Sequence, residues 1–313
     1  MPPCGLLNLN KPVGMTSRQA VDIVHRLSRP AKAGHAGTLD PLAQGVLVVC
    51  AGSATRLIGY VQRMRKQYLG TFLLGRTSVT EDIEGQVTEL PDAPVPTHAQ
   101  IEAAARRFLG RIEQRPPAFS ALKIQGRPAY KLARQGKPVE LAPRPVEIFR
   151  IEIKRYEYPE LVLEIDCGGG TYIRSLGRDL AQALGTGAVM SALVRTSIGG
   201  FHVAEAIDPS RLTRDNWHAF LQPPLRAVEY LPRVPLSAEE AVRLRNGQTI
   251  AAKAEGGGRK AEEGVRGTEY GVRSAAAEEF AAVDPAGQLV GVVAMDAAGR
   301  WRTVRNLPSS DNR

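Results

Sequence analysis

Cysteine is scarce in this sequence: Cys4, Cys50 and Cys167 stand far apart, odd in number and in no C-x-x-C spacing. That pattern argues against a disulfide framework and against a zinc site. Histidine is thin as well, with His25, His35, His98, His202 and His218 scattered along 313 residues, so no metal cofactor is expected. No apolar run approaches the roughly 18 residues of a membrane helix. The start, Met1-Pro2-Pro3-Cys4-Gly5, has neither the basic head nor the apolar centre of a signal peptide. A cytoplasmic protein without membrane contact is the expectation. The G-x-G-x-x-G and P-loop signatures of nucleotide cofactors are also missing, as is the G-x-S-x-G elbow of a serine nucleophile.

What the chain does have is unevenly placed positive charge. Its net charge is +9, and the stretch 104–155 holds thirteen Lys or Arg against four Glu, a surplus of nine within one sixth of the length. A solvated basic face is the simplest account. Phe119, Tyr130 and Phe149 lie among these cations, however, and that mixture suits a polyanion whose phosphates are neutralised and whose bases can stack. Nucleic acid is favoured over lipid, because Pro116, Pro117, Pro128, Pro138, Pro143 and Pro145 break any long amphipathic helix.

Periodicity predicts a mixture of strands and helices without strict alternation. Strands are expected over 6–10, 46–50, 68–74, 146–154 and 161–167, and helices over 17–28, 53–63 and 172–184. Thr16 and Gln19 form a capping box before the first helix, and Thr97 caps another that runs toward Gly110. A polar turn is expected over 75–85. This order favours an α+β fold around a mixed, mainly antiparallel sheet. The texture changes at Pro232, so the chain divides into 1–231 and a small β-rich domain over 232–313. The latter has a helix over 238–245, a hairpin signal at Asn246-Gly247, strands over 280–283 and 289–295, and a flexible insertion over 252–277.

Two places can carry chemistry. The run Gly34-His35-Ala36-Gly37-Thr38-Leu39-Asp40-Pro41-Leu42-Ala43-Gln44-Gly45-Val46-Leu47 packs turn-formers around one carboxylate. An Asp before Pro is a common turn starter, so Asp40 is either a cap or a catalyst. No second carboxylate accompanies it as in glycosidases, but one carboxylate beside a sugar suffices where a glycosidic bond breaks without an activated water. The second place is Gly168-Gly169-Gly170 before Thr171-Tyr172-Ile173-Arg174. Those glycines either cradle a phosphate at a helix N-terminus or let Tyr172 and Arg174 project from a tight turn, where Arg174 can hold a carboxylate.

The Gly34–Leu47 run resembles the catalytic motif of the TruB family of tRNA pseudouridine synthases. Other family motifs follow in order. Asn10-Lys11-Pro12-Val13-Gly14-Met15-Thr16-Ser17 resembles the first motif, and Lys66-Gln67-Tyr68 the substrate-stacking tyrosine segment. Ser120-Ala121-Leu122-Lys123 through Gln135-Gly136 resembles the tRNA-gripping insertion. Gly170-Thr171-Tyr172-Ile173-Arg174, and Gly187 through Leu193 to Phe201, resemble the motifs that close the site. One departure is Val79, in a turn where many relatives carry a polar or acidic residue.

The resemblance implies the pseudouridine synthase fold, with a thumb-like basic insertion over about 104–155 and a PUA-like RNA-binding domain at 232–313. It implies isomerisation of uridine in the T-loop of tRNA, at position 55 in tRNA numbering, with no cofactor. Asp40 is then the catalytic residue, acting as nucleophile or as base. Tyr68 stacks the flipped base, His35 fills the place it leaves, Arg174 pairs with Asp40, Tyr172 and Leu193 wall the pocket, and Lys11 supports it. Lys123, Arg127, Lys131, Arg134 and Lys137 grip the T-loop and T-stem. A monomer without an obligatory protein partner is expected. Two alternatives remain: a guide-RNA-dependent, dyskerin-like synthase, and a tRNA-binding folding helper in which Asp40 is incidental.

Overall fold

The structure, a computed structural model, describes residues 3–124, 126–137, 139–252 and 278–307. They fall into two compact units. One takes the chain up to Pro41, Gly45–Met64 and everything from Ser197 onward; the other takes Leu42–Gln44 and Arg65–Thr196.

The first unit opens with β1 (Gly5–Lys11), α1 (Ser17–Ser28), β2 (Ala33–His35), β3 (Ala43–Ala51), a 3₁₀ turn (Gly52–Leu57) and α2 (Ile58–Arg63). The expected capping box forms: Thr16 accepts from the Gln19 backbone N–H while the Gln19 side chain reaches back to Thr16. The helix expected over 53–63 divides, its first half tightening into the 3₁₀ turn. Strand β1 pairs antiparallel with β3, Leu6 opposite Cys50 and Leu9 opposite Leu47, and β2 pairs with the end of β3.

Strand alternation sends the two faces of this ribbon into different cores. Leu6, Val46, Val48 and Cys50 join a cluster with α2. Leu7, Leu9, Leu47, Val49 and Ala51 pack on Ala20, Val21 and Val24 of α1 and on Trp217. A strand buried on both sides reads as a continuous apolar run, which is how 46–50 appears in the sequence. Leu47 is fully buried. Leu47→Ala is therefore expected to lower the unfolding free energy by about 2–5 kcal/mol. Denaturant titration checks this, and a loss below about 1 kcal/mol would contradict the packing.

The second unit is built on β4 (Lys66–Leu74), β5 (Arg76–Ser78), β6 (Val87–Glu89), α3 (His98–Arg106), β7 (Gly110–Gln114), β8 (Lys123–Ile124), β9 (Arg127–Pro128), α4 (Ala129–Ala133), β10 (Arg144–Glu157), β11 (Glu160–Cys167), α5 (Ile173–Ala183) and β12 (Ala188–Ile198). The sheet runs β12-β4-β11-β10-β7, and β4 with β11, β11 with β10, and β10 with β7 are antiparallel. On β4 every second residue is buried, so Lys66, Tyr68, Gly70, Phe72 and Leu74 share one face. Phe72 lies against Gly177 of α5, where even a methyl group would overlap its ring. The polar turn expected over 75–85 contains β5, which pairs with β6.

The first unit resumes with β13 (Phe201–His202), which pairs with Ser197 and Ile198. Beyond it come β14 (Arg233–Pro235), α6 (Ala238–Arg245), β15 (Ile250–Ala251), β16 (Glu279–Val283), β17 (Leu289–Met295) and β18 (Arg300–Asn306). These strands form a five-stranded sheet, β14-β16-β17-β18-β15, with a core of its own around Leu236, Leu244, Val290 and Val293. Ala281, Leu289, Val292 and Leu307 belong instead to the cluster that holds Leu6 and Val46.

The hairpin expected at Asn246-Gly247 is not there. Asn246 caps α6, Gly247 takes φ 77°, and its N–H returns to the Leu244 carbonyl at 2.9 Å. An Asn-Gly pair supplies the left-handed residue for a helix stop as readily as for a hairpin, and the helix ahead of it decides. Of the insertion expected over 252–277, residues 253–277 lie outside the described residues.

Candidate active site

The Asp40 loop joins β2 to β3 in the first unit, and its backbone is held on both sides of the carboxylate. Before it, the Ser17 hydroxyl accepts from the Leu39 N–H at 2.8 Å and donates to the Leu39 carbonyl at 2.9 Å. Ser17 can do both because a hydroxyl is donor and acceptor at once. After it, the Pro41 carbonyl accepts from the Gly14 N–H at 2.8 Å and lies 3.5 Å from Lys11 Nζ. Lys11 is completely buried, and its ammonium also donates to the carbonyls of Met15 at 2.6 Å and Pro12 at 2.9 Å. Three donors thus meet three carbonyls, which is what a desolvated ammonium requires. Gly37, at φ 128°, supplies a bend that a side chain would strain. Asp40 itself remains half-buried on this clamped loop, and His35, at the end of β2 opposite Val49, is half-buried too.

The other expected pocket residues belong to the second unit. Tyr68, buried on β4, has its hydroxyl 3.5 Å from Nη1 of Arg195. Arg195 on β12 is 1% exposed, with its guanidinium 6.0 Å from the Tyr68 ring centroid. Two residues before Tyr68 on the same face, Lys66 is pushed down to about 8, chiefly by burial and then by the Arg195 charge. The folded pKa lies below the ordinary value, so between the two values the unfolded chain binds the extra proton. Stability therefore rises as pH climbs from about 8 toward 10.5. From pH 8 to about 9.5 the native chain should gain on the order of 1–2 kcal/mol over Lys66→Met. Urea unfolding across that range checks it, and parallel profiles would refute it.

Arg174, in the first turn of α5, is buried and engaged by three groups. Its Nη1 donates to the Thr80 carbonyl at 2.7 Å and lies 3.6 Å from Asp82 Oδ2, and its Nη2 donates to the Phe119 carbonyl at 3.1 Å. Within its own unit, the carboxylate beside Arg174 is that of Asp82. Asp82 is itself fixed, accepting from the Thr80 hydroxyl at 2.6 Å and the Glu84 N–H at 3.1 Å. Beside it, Glu81 adopts φ 64° and receives the Ser175 hydroxyl at 2.7 Å and the Arg178 guanidinium. Burial raises the Glu81 pKa, and Arg178 opposes that rise. The turn over 78–82 is thus a rigid cradle for the start of α5.

Tyr172 caps α5. Its backbone N–H and C=O both bond the buried Gln114 side chain, at 2.9 and 3.1 Å, and the Arg144 guanidinium sits 5.0 Å above its ring. Gly170 turns at φ 89° with its carbonyl taken by Arg144. Of the two readings of the glycine run, projection of Tyr172 and Arg174 is the one these contacts build. Leu193 is buried on β12.

The basic stretch is not uniform. Arg150, Lys154 and Arg155 on β10 are taken by Glu152, Glu164 and Glu160 of the sheet. Lys123, Arg127, Lys131, Arg134 and Lys137, on the β8–β9 hairpin, α4 and the turn after it, are all exposed. Among the described residues none of these five is paired with a carboxylate. The first group is the cation half of a surface network; the second is available to a polyanion.

Reasoning from the sequence missed Glu81, Asp82, Arg178 and Arg195. The only available signal was the spacing of Arg174 and Arg178 on one helix face opposite the acidic pair Glu81-Asp82.

The family profile described as TruB family pseudouridylate synthase (N terminal domain) matches residues 25–173. A tRNA pseudouridine synthase B of Dehalococcoides mccartyi is 43% identical over 256 residues, covering 80% of this chain and 85% of that protein. One from an Arthrobacter species is 39% identical over 306 residues, covering 96% and 95%. Among solved structures, a Cbf5-Nop10-Gar1 complex contains a chain that superposes with TM-score 0.67 at 25% identity, covering 93% of this chain and 78% of that one.

Proposed function

Since the chain belongs to the TruB family of pseudouridylate synthases, we infer that the uridine it isomerises is the one at position 55, in the T-loop of tRNA, and that Asp40 is its catalytic residue. The protein is an isomerase that converts uridine in tRNA to pseudouridine. In that reaction the N1–C1′ bond breaks, the uracil turns, C5 bonds to C1′, and the proton on C5 is released to solvent while N1 ends protonated. No water is added, so a single carboxylate facing the sugar can serve both bond changes.

The observation that carries the reading is the clamped loop. Ser17, Gly14 and Lys11 fix the backbone on either side of Asp40 through its neighbours Leu39 and Pro41, so the loop backbone sets where that carboxylate stands. A base inside a folded T-loop must be flipped out to be reached. Tyr68 stacks it, His35 occupies the place it leaves, and Tyr172, Arg174 and Leu193 shape the pocket. Lys123, Arg127, Lys131, Arg134 and Lys137 hold the T-arm, and the C-terminal sheet is a PUA-like RNA-binding element. The enzyme acts in the cytoplasm as a monomer, without a guide RNA or an obligatory protein partner. The exposed hairpin and helix over 123–137 favour this stand-alone reading over the guide-dependent one.

The test uses purified protein and a tRNA transcript tritiated at uridine C5. Release of tritium from position 55, abolished when that uridine is replaced by cytidine, is the expected result. Release from another position, or a requirement for an added RNA, would overturn it.

A further inference from the structure

The first unit contains a second basic site, at the far end of α1 from the Asp40 loop. Ser17, which holds Leu39, starts the helix, and Ser28 ends it, a separation of roughly 16 Å at about 1.5 Å per residue. At that end, Arg26 lies in the last turn and Arg29 is the C-cap. Facing them is a segment from much later in the chain. Thr213 and Asn216 cap each other there, at 2.8 and 3.3 Å, and the 3₁₀ turn Trp217–Phe220 follows.

Trp217 anchors that segment: it is 2% exposed and packs with Ala20, Val21 and Val24 of α1. The His218 ring lies beside it, with centroids 4.2 Å apart. Between helix end and segment opens a cleft of about 410 Å³ lined by Arg26, Leu27, Arg29, Arg214, Trp217 and His218.

Three guanidinium groups and an imidazole line this cleft, and no carboxylate does. Among the described residues none of the three arginines has an ion pair, and Asp22, one turn earlier on α1, is taken by Arg18 at 2.9 Å. The helix dipole accounts for Arg26 and Arg29 at a C-terminus. It does not account for Arg214 and His218, which the buried Trp217 brings to the same cleft. Like charges converging on an open hollow repel one another unless an anion joins them. All three arginines are exposed, so an extended chain can pass through.

We propose that this cleft grips a phosphodiester stretch of the RNA substrate, apart from the target nucleotide. The proposal rests on tRNA being the substrate. Its arginines neutralise backbone phosphates, and the cleft adds to affinity without taking part in the isomerisation.

The test compares the full-length chain with R26Q/R29Q/R214Q, and with a Glu-substituted triple variant whose melting temperature is checked first. Binding of tRNA is measured across a salt series, single-turnover isomerisation at saturating tRNA, and binding of inorganic tripolyphosphate by calorimetry. The Gln triple variant should bind tRNA roughly 5- to 30-fold more weakly near 0.15 M salt, with a log–log salt slope smaller by about 2 to 3. Its rate at saturation should stay within about twofold, since phosphate contacts position rather than react. Unchanged affinity and slope in folded variants would overturn the proposal. So would tripolyphosphate binding that the variant loses while tRNA affinity is kept, which would make the cleft a small-anion site. A collapsed rate at saturation would place the cleft in the catalytic machinery and also overturn it. In all these outcomes the unaltered chain still converts tRNA; if it does not, the functional reading fails, and the cleft proposal with it.

Discussion

Asp40→Asn is expected to abolish pseudouridine formation, by on the order of 10⁴-fold or more, while the variant still binds tRNA. The structure gives a reason to expect that clean separation. The loop is held through Leu39 and Pro41 by Ser17, Gly14 and Lys11, so an amide of the same size leaves those bonds in place. It removes the negative charge and the nucleophilic or basic oxygen, and either catalytic role needs both. Tritium release and filter binding on the same preparation read the two properties. Appreciable turnover by the variant would remove Asp40 from the chemistry, and retained biological effect without turnover would favour the folding-helper alternative.

Charge reversal at Arg127, Lys131, Arg134 and Lys137 is expected to act the other way, on binding and not on the chemical step. These side chains are exposed, and among the described residues none is paired with a carboxylate, so their replacement should cost little stability. If each neutralises one phosphate, the salt slope should fall by about 3 to 4 and the affinity near 0.15 M salt by on the order of 10²- to 10³-fold. The rate at saturating tRNA should be nearly unchanged. The same reversal at Arg150 and Arg155 is the internal control, because those cations already answer Glu152, Glu164 and Glu160. An unchanged slope in the first variant would take 123–137 out of the RNA interface.

Much of this arrangement is legible in the sequence because local rules agree with the fold. The capping box at Thr16, the helix over 17–28, the two-sided strand after the Asp40 loop and the turn that projects Tyr172 all follow from spacing, and the structure contains them. The buried charges are a different matter. Asp82 and Arg195 are residue types usually found in water, and their burial depends on partners such as Arg174 and Tyr68, roughly a hundred positions away in sequence. No window of local sequence records such a pairing. The same limit explains the basic stretch: composition counts thirteen cations, but only cross-strand register tells which face carboxylates. At Asn246-Gly247 the local signal was real and its meaning double, and α6 settled it.

The ribbon of β1 and β3 carries one further consequence, for anyone who would shorten this chain. Its Leu6–Val46–Val48 face is roofed by Ala281, Leu289 and Val292 from the last five-stranded sheet and by Leu307 just after it. A cut near Pro232 would therefore strip the cover from the strands that suspend the Asp40 loop, leaving a greasy face bare to solvent. A C-terminal sheet that looks detachable on paper doubles as structural insulation for the strands that carry the Asp40 loop. Its inner face is thereby tied to the integrity of the strands it covers.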